Sequence, residues 1–483
     1  MADARTSESN AITAKKQAEA NLHIALRAFD EISDNLASRE LPKSIQIGAA
    51  EGATLPPVSG LSSADAKLVQ SLLKFYDEFA RNNAGDTVVD FSIARVHQKV
   101  GAIYIRLGHY GAAVDAFERA LQVVPDKVDN VDAESALTEF RAKTLNALGT
   151  AHLLGGGFAR AIESHEQALA QLTSAQRAAG SDSLYRYELA ITINHLVRAR
   201  AAEFVSRQTR RGPRRPNQET KVVSPPEIDA EYQQAHTILA ELLAESPGNV
   251  EFRRALAHCH RSVLPVAWAN GDERLASTAK QESVTILRNL ADEYADNAQY
   301  QFDLADTLAM TKYADSGTPL SKNDVEGLQE SVALANQLHK KFSTALEYTV
   351  LLANTHHKLA SYFIAAKSSS DAEPNLTATV GLFESLVASS PSHPLFQVEL
   401  ARVRWKIGEG HRRQGSLEDS RQILEKAISD YVEYRNTESG RRSSVGLLVG
   451  LYRQLAGTLE QLGESDLATK ATEAAEELRR SGQ

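Results

Sequence analysis

Two stretches of the chain carry residues that could bind a metal ion. His258, Cys259 and His260 are consecutive, and His356 and His357 form a second group. Residues i and i+2 of a helix do not face each other, and no second set of ligands lies at the spacing of a structural zinc site. We interpret both groups as helix surface with one inward-facing residue, and predict neither a metal site nor a cofactor.

Motifs of catalysis are also missing from the sequence. It contains no glycine-rich phosphate loop, no G-x-S-x-G turn and no H-E-x-x-H pair. Its many carboxylates lie on amphipathic helical patterns, where a solvated face is the ordinary interpretation. The sequence therefore predicts a protein that is not an enzyme.

One strongly basic segment, residues 206–226, leaves two interpretations open. It carries one acidic residue, Glu219, against six basic ones: Arg207, Arg210, Arg211, Arg214, Arg215 and Lys221. A disordered, solvated insertion explains this composition, because loop closure costs little more as a loop lengthens. A contact site for phosphate, an acidic peptide or a membrane surface is the alternative.

The elements that would position binding residues are best seen in residues 94–125. The pattern predicts two amphipathic helices joined by a glycine turn, with small residues where the helices approach and large ones beside them. The motif residues are Val100, Gly101, Tyr104, Gly108, Tyr110, Ala113, Phe117, Ala120 and Pro125. This order resembles the tetratricopeptide repeat, a helix pair that must stack on further pairs to bury its apolar faces.

The same pattern recurs along the chain. Successive marker pairs are 48 residues apart, except for one longer step of 67 residues that contains the basic segment. The markers are Val100-Gly101, Leu148-Gly149, Leu196-Val197, Val263-Leu264, Thr311-Lys312, Leu359-Ala360, Ile407-Gly408 and Leu455-Ala456. We predict an all-α fold, a right-handed α-solenoid of TPR-like helix pairs with a 48-residue period.

The predicted organisation has four parts. A disordered tail at 1–11 precedes capping helices at 12–89 with a loop at 42–62. Eight repeats occupy 90–478, and a tail follows at 479–483.

In five repeats the turn between the two helices contains glycine, at Gly108, Gly156, Gly271, Gly415 and Gly463, where a positive φ is expected. The other turns are predicted as longer loops at 206–226, 316–324 and 368–375.

Composition limits the cellular setting. The 483 residues are 42% hydrophobic and 24% charged with a net charge of −9, and one cysteine excludes an internal disulfide. No apolar run is long enough for a membrane span. We expect a cytoplasmic protein without specific nucleic-acid binding. Its oligomeric state is left open.

The resemblance to tetratricopeptide repeats also implies a binding surface. In that family the first helix of each pair lines a concave groove, and four motif positions point into it. Carried over, the predicted partner-binding residues are Arg95, Gln98, Lys143, Asn146, Asn194, Arg198, His258, Arg261, Trp268, Asn354, His357, Arg402, Trp405, Arg412 and Arg453. These positions are net basic in an acidic chain, which favours an extended, acidic peptide or protein as the partner.

A second resemblance leaves an alternative function. The Y/F-x-x-x-L-A helix starts and the segment QAEANLHIALRAFDEI resemble the C-terminal repeat region of large bacterial membrane-anchored Ser/Thr protein kinases. The kinase motifs V-A-I-K, H-R-D and D-F-G are missing from this chain. The resemblance implies either a stand-alone scaffold or a regulatory part separated from a kinase domain, and in the second case a position on the extracytoplasmic side of the membrane.

Overall fold

The computed structural model describes residues 87–106, 108–124, 131–179, 183–210, 225–312, 320–343, 345–366, 368–390, 393–437 and 445–481. Every regular element in these ranges is an α-helix, which confirms the predicted all-α class. The predicted tail at 1–11 and nearly all of the predicted capping region lie outside the described residues. The described chain belongs to two compact units, residues 87–293 (unit 1) and 294–481 (unit 2).

Unit 1 contains eight described helices. Each helix packs against the next along the chain, so that successive helix pairs stack. The helices are α1 (Thr87–Arg106), α2 (Tyr110–Val123), α3 (Val131–Leu154), α4 (Phe158–Ala179), α5 (Ser183–Arg210), α6 (Pro226–Glu245), α7 (Val250–Asn270) and α8 (Glu273–Glu293).

Small residues let the helices of a pair approach closely. A Cβ atom added to Gly101 on α1 would lie 2.6 Å from Cε1 of Phe117 on α2. Phe117, Ala113 and Ala120 are fully buried. This is the contact that the sequence predicts, with a bare backbone against a large ring.

The same device recurs in another pair of unit 1. A Cβ on Gly149 of α3 would lie 2.5 Å from Cε1 of His165 on α4. In both pairs a glycine on the first helix faces the large side chain 16 residues later. His165 is buried, so an imidazole occupies the place that Phe117 fills in the preceding pair.

Two ion pairs tie first helices to second helices in unit 1. Arg186 Nη1 on α5 lies 2.6 Å from Glu245 Oε1 on α6, and Arg253 Nη1 on α7 lies 2.7 Å from Glu293 Oε2 on α8. The first pair spans 59 residues and the second 40, a difference of 19. The extra chain of the long step therefore lies between α5 and α6 and leaves their pairing in place.

Unit 2 contains the other eight described helices. Here too each helix packs against the next. They are α9 (Ala298–Leu308), α10 (Lys322–Lys341), α11 (Leu346–Ala365), α12 (Ser369–Ser389), α13 (Pro394–Gln414), α14 (Leu417–Arg435), α15 (Val445–Leu462) and α16 (Ser465–Ser481).

Aromatic and leucine side chains fill the core of unit 2. Phe383 on α12 and Phe396 on α13 are buried together in one apolar cluster. Tyr431 on α14 and Leu451 on α15 belong to the next cluster, which joins α13 to α16. Gly408 continues the small-against-large contact, because a Cβ there would lie 2.7 Å from Cγ of Leu424.

The turn glycines have the backbone conformation that the sequence predicts. Gly108, Gly156, Gly271, Gly415 and Gly463 have φ values of 72°, 79°, 74°, 84° and 82°. Gly271 and Gly415 are the C-cap residues of α7 and α13. An L-residue with a side chain is strained in this region, so glycine is the residue that ends these helices most easily.

Four predicted boundaries are wrong. The predicted loop 316–324 ends too late, because α10 begins at Lys322. Helix α5 runs to Arg210, so the start of the predicted insertion 206–226 is helical, and residues 211–224 lie outside the described chain. The predicted loop 368–375 is helical from Ser369 onwards and contains Pro374 within α12. The predicted C-terminal tail at 479–483 is helical as far as Ser481. In α12 the Ser368 hydroxyl donates to Asp371 Oδ2 at 2.5 Å, so residues that resemble a turn instead begin the helix.

No helix in the described ranges is both long enough and apolar enough to cross a membrane.

Candidate peptide-binding site

In unit 1, two predicted binding residues are used to join neighbouring helix pairs. Gln98 Nε2 on α1 donates to Thr144 Oγ1 on α3 at 2.8 Å, and Asn146 Nδ2 on α3 donates to Thr192 Oγ1 on α5 at 2.7 Å. Asn146 Oδ1 also lies 3.0 Å from Nδ1 of His165. We call these two amide–threonine bonds the amide ladder. Its amides hold the scaffold together and are not free for a ligand.

Three further predicted residues of unit 1 are buried. Asn194, His258 and Arg261 have exposed fractions of 0%, 6% and 3%. Neither amide atom of Asn194 has a hydrogen-bond partner within the described part of the chain. A peptide in an open groove could not reach these side chains without displacing helices.

The remaining predicted residues of unit 1 are scattered in exposure. Arg95 and Lys143 are exposed, and Arg198 and Trp268 are half-buried. Lys143 Nζ lies 2.5 Å from Glu139 Oε1 and 3.3 Å from Oε1 of a second glutamate on α5. The structure brings no cluster of these four residues together around a described cavity.

Three predicted residues of unit 2 are likewise exposed or half-buried: Asn354, His357 and Arg402. Arg402 is exposed and lies 2.7 Å from Glu399 on its own helix. His357 Nε2 lies 3.3 Å from Nζ of Lys406, and Asn354 is half-buried. None of these three side chains belongs to the lining of the cleft described next.

Three predicted residues, in contrast, meet in one cleft of unit 2. Trp405 and Arg412 on α13 face Arg453 on α15 across an open cleft of about 380 Å³. The rest of the lining, all from α15, is Gly450, Gln454 and Gly457. We call this the α13–α15 cleft.

Glycine determines how Trp405 lies in the cleft. A Cβ added to Gly450 would lie 2.2 Å from Cη2 of the indole, so the ring packs on bare backbone of α15. The indole also contacts the apolar cluster that contains Leu451, and the backbone carbonyl of Trp405 accepts a hydrogen bond of 3.4 Å from Gln454 Nε2. Trp405 is thus fixed in position with part of its surface still exposed.

The charge of the cleft is unbalanced. Arg412 and Arg453 form no ion pair and no side-chain hydrogen bond within the described chain, and no carboxylate lines the cleft. The other three arginines of α13 do bind carboxylates: Arg402 to Glu399, Arg404 to Glu384 and Asp430, and Arg413 to Glu409. The Arg412 Nε is moreover buried without a partner. Guanidinium groups in this state are suited to bind an anion.

Of the residues that α15 contributes to the cleft, sequence reasoning found Arg453 and missed Gly450, Gln454 and Gly457. Gly450 and Gly457 are seven residues apart, on one face of a helix, with Arg453 between them. Glycine at two such positions weakens a helix, so the pair was a signal that a helix surface is kept open there.

Of the consecutive residues His258, Cys259 and His260, the last two contact neighbouring helices of the scaffold. Cys259 Sγ lies 4.0 Å from the carbonyl of Tyr232, while His260 lies 3.1 Å from the Tyr232 hydroxyl and 3.1 Å from Glu282 Oε2. Burial lowers the pKa of His260 to about 4. Among the described residues no group of three His, Cys, Asp or Glu side chains is arranged to hold a metal ion.

One helix pair matches a known family. Residues 94–127, which include most of α1 and all of α2, match the family model of the tetratricopeptide repeat. A comparison with curated proteins gives no match. Stacked helix pairs, one of which matches this repeat, define a helical-repeat protein.

Solved structures of helical proteins are similar at low sequence identity. A Rap protein complexed with competence and sporulation factor is 11% identical, covers 80% of this chain and 98% of its own, and has a TM-score of 0.37. The apo quorum sensor NprR from B. thuringiensis is 11% identical, with coverages of 86% and 94% and a TM-score of 0.39. The human IFIT1 dimer with m7Gppp-AAAA is 13% identical, with coverages of 95% and 94% and a TM-score of 0.37. Scores this low support no inference about a ligand.

Proposed function

We propose that the protein is a non-catalytic scaffold that binds an extended, acidic segment of a protein partner in the α13–α15 cleft. The observation that carries this proposal is the pair of unpaired guanidinium groups, Arg412 and Arg453, beside a fixed and partly exposed Trp405. An acidic segment would supply carboxylates to the arginines. An apolar side chain of the same segment would cover the indole, since interface energy often concentrates on Trp and Arg.

The proposal narrows the surface expected from the sequence. Of the fifteen groove residues predicted from the sequence, the proposal keeps three. Gln98 and Asn146 donate to threonines of the next first helix, and Asn194, His258 and Arg261 are buried. The remaining exposed residues, such as Arg95, would contribute to the rate of association with the partner and to solubility.

A fluorescence titration tests the proposal. The probe is acetyl-EELEEF-amide, and the comparison is acetyl-QQLQQF-amide, with the full chain carrying Trp268→Phe so that Trp405 alone reports. We expect the acidic probe to bind more tightly, with an affinity that falls as salt rises. Arg412→Glu and Arg453→Glu should each abolish the difference.

Two controls accompany the titration. Arg402→Glu alters an exposed arginine of the same helix that already has a carboxylate partner, and should leave binding nearly unchanged. Gly457→Leu fills the floor of the cleft without changing charge, and should weaken binding. Equal affinity for the acidic and neutral probes would contradict the proposal.

A second candidate function rests on the sequence resemblance described above. In this case the chain would be the regulatory portion of a bacterial Ser/Thr kinase. Binding of its partner would then regulate a catalytic domain that is encoded nearby. Reading the coding sequence on either side for kinase motifs tests this. Their absence there would leave the stand-alone scaffold.

A further inference from the structure

The two positive charges of the α13–α15 cleft indicate a more specific ligand than an acidic segment in general. The lining contains two guanidinium groups and no carboxylate. Two like charges that share a cleft repel each other, and a bound anion of matching charge removes this cost. A single carboxylate would neutralise one arginine and leave the other.

The two arginines approach the same floor from different helices. A Cβ added to Gly457 would lie 4.0 Å from Nη1 of Arg412, so the guanidinium of Arg412 lies over this glycine. Arg453 is one helical turn before Gly457 on α15, on the same face. A small ligand group resting on Gly457 would thus have an arginine from α13 on one side and one from α15 on the other.

We propose that Arg412 and Arg453 together hold one phosphorylated side chain of the partner segment. A phosphomonoester carries a charge of about −1.5 to −2 at pH 7 and three strong acceptor oxygens, which matches two guanidinium forks in charge and in number of bonds. Trp405, fixed against Gly450, then contacts an apolar neighbour of the phosphorylated residue. This inference rests on the proposed function and names the group that the cleft selects.

Three matched peptides test the inference on the full chain with Trp268→Phe. The probes are acetyl-AFXA-amide with phosphoserine, glutamate or serine at X. Trp405 fluorescence and calorimetry measure the affinity of each probe. We expect the phosphoserine probe to bind about tenfold more tightly than the glutamate probe, and the serine probe to bind weakest. Arg412→Gln and Arg453→Gln should each lower affinity for the phosphoserine probe by about tenfold, to the level of the glutamate probe.

Controls separate the phosphate from its possible carriers. Arg402→Gln, on the same helix and paired in the parent, should leave the affinity for phosphoserine unchanged. Inorganic phosphate should compete only weakly, because it lacks the apolar group that contacts Trp405. An oligouridylate hexamer that bound more tightly than the phosphopeptide, and lost binding with Arg412→Gln, would identify the ligand as nucleic acid and overturn the inference.

The outcomes also distinguish this inference from the proposed function. If glutamate binds as tightly as phosphoserine, the phosphate assignment is wrong while acidic-segment binding stands. If the phosphoserine probe does not bind at all, this inference fails, and the titration with acetyl-EELEEF-amide decides the proposed function independently.

Discussion

Glu231 is a carboxylate whose protonation should be visible in the stability of the protein. It lies on α6 with Oε1 3.3 Å from Arg200 Nε. Burial raises its pKa from 4.5 to about 7, although Arg200 acts in the opposite direction. The folded state therefore keeps a proton that the unfolded state releases above pH 4.5, so this group lowers stability as the pH rises from 4.5 to 7.

Glu231→Gln should remove this dependence. We expect the free energy of unfolding of the variant, relative to the parent, to increase by about 1–3 kcal/mol between pH 4.5 and pH 7 and then to level off. Urea unfolding across this range measures it, with Glu227→Gln, an exposed carboxylate on the same helix, as control. A constant difference between variant and parent would contradict the assignment.

The amide ladder of unit 1 stops at Asn194. Gln98 and Asn146 each donate to a threonine on the next first helix, and Asn194 is the next amide in the series. The chain has Cys259 where the series places a threonine, and Asn194 is left buried without a partner among the described residues. A thiol is a much weaker partner than a hydroxyl.

Cys259→Thr should extend the ladder by one bond and stabilise unit 1 by about 0.5–1.5 kcal/mol, the usual net contribution of a hydrogen bond. Cys259→Val is the matched control, because valine has the shape of threonine without the hydroxyl. Chemical denaturation compares the three proteins. Equal stability of the threonine and valine variants would show that Asn194 does not reach residue 259.

The ladder also explains why the binding site could be predicted only in part. A polar residue on the inner face of a first helix has the same sequence pattern whether it binds a ligand or the next helix. Asn146 forms a hydrogen bond because Thr192 lies opposite it. Arg412 forms none among the described residues, because the residue opposite it, Gly457, has no side chain. The opposing residue is distant in sequence, so the difference emerges only when the helices are packed.

At the scale of single elements, the helix pair α1–α2 depends on close approach. Ala120→Leu should overpack the contact that Ala120 makes in the apolar cluster with Ala94 and Leu137, at a cost of about 1–3 kcal/mol. Hydrogen exchange should rise first in α1 to α3, since repeat proteins lose structure locally. Gln122→Leu, on the exposed side of α2, is the control. A parent-like exchange pattern in the Ala120 variant would contradict the packing.

The connection between α5 and α6 should be the first place that trypsin cuts. Arg207 lies within α5 and its Nη2 is 2.6 Å from Glu203 Oε1, so we expect cleavage to begin after Arg211 or Arg214. The Arg186–Glu245 pair should then hold the two fragments together. Gel filtration of the nicked protein, with mass spectrometry of the cut sites, measures both. Earlier cleavage inside α7 would contradict this order.

Helices were predictable to the extent that apolar spacing governs them. The pattern of Ala113, Phe117 and Ala120 gives the face of α2 correctly, because burial there follows from the sequence alone. The start of α12 was missed because serine, aspartate and proline favour turns and helix N-termini alike. Only the helix pair as a whole decides between the two. The 48-residue period stays a prediction, although several contacts recur at related positions.

For the whole molecule, the composition and the helices together make one spectroscopic prediction. All described regular structure is helical, and the chain carries a net charge of −9. Far-ultraviolet circular dichroism should therefore show the double minimum of an α-helical protein at low and at moderate salt, because stacked apolar faces rather than surface charges hold the pairs together. A substantial β-sheet signal would contradict the fold.

The 19-residue difference between the Arg186–Glu245 and Arg253–Glu293 pairs has a use in protein engineering. It marks a point where the chain already accommodates additional sequence while the flanking helices stay paired. A fluorescent reporter or an affinity tag spliced in after residue 211 would enter at the same point. Such an internal fusion would change no residue of the α13–α15 cleft, and would allow the protein to be followed in living cells.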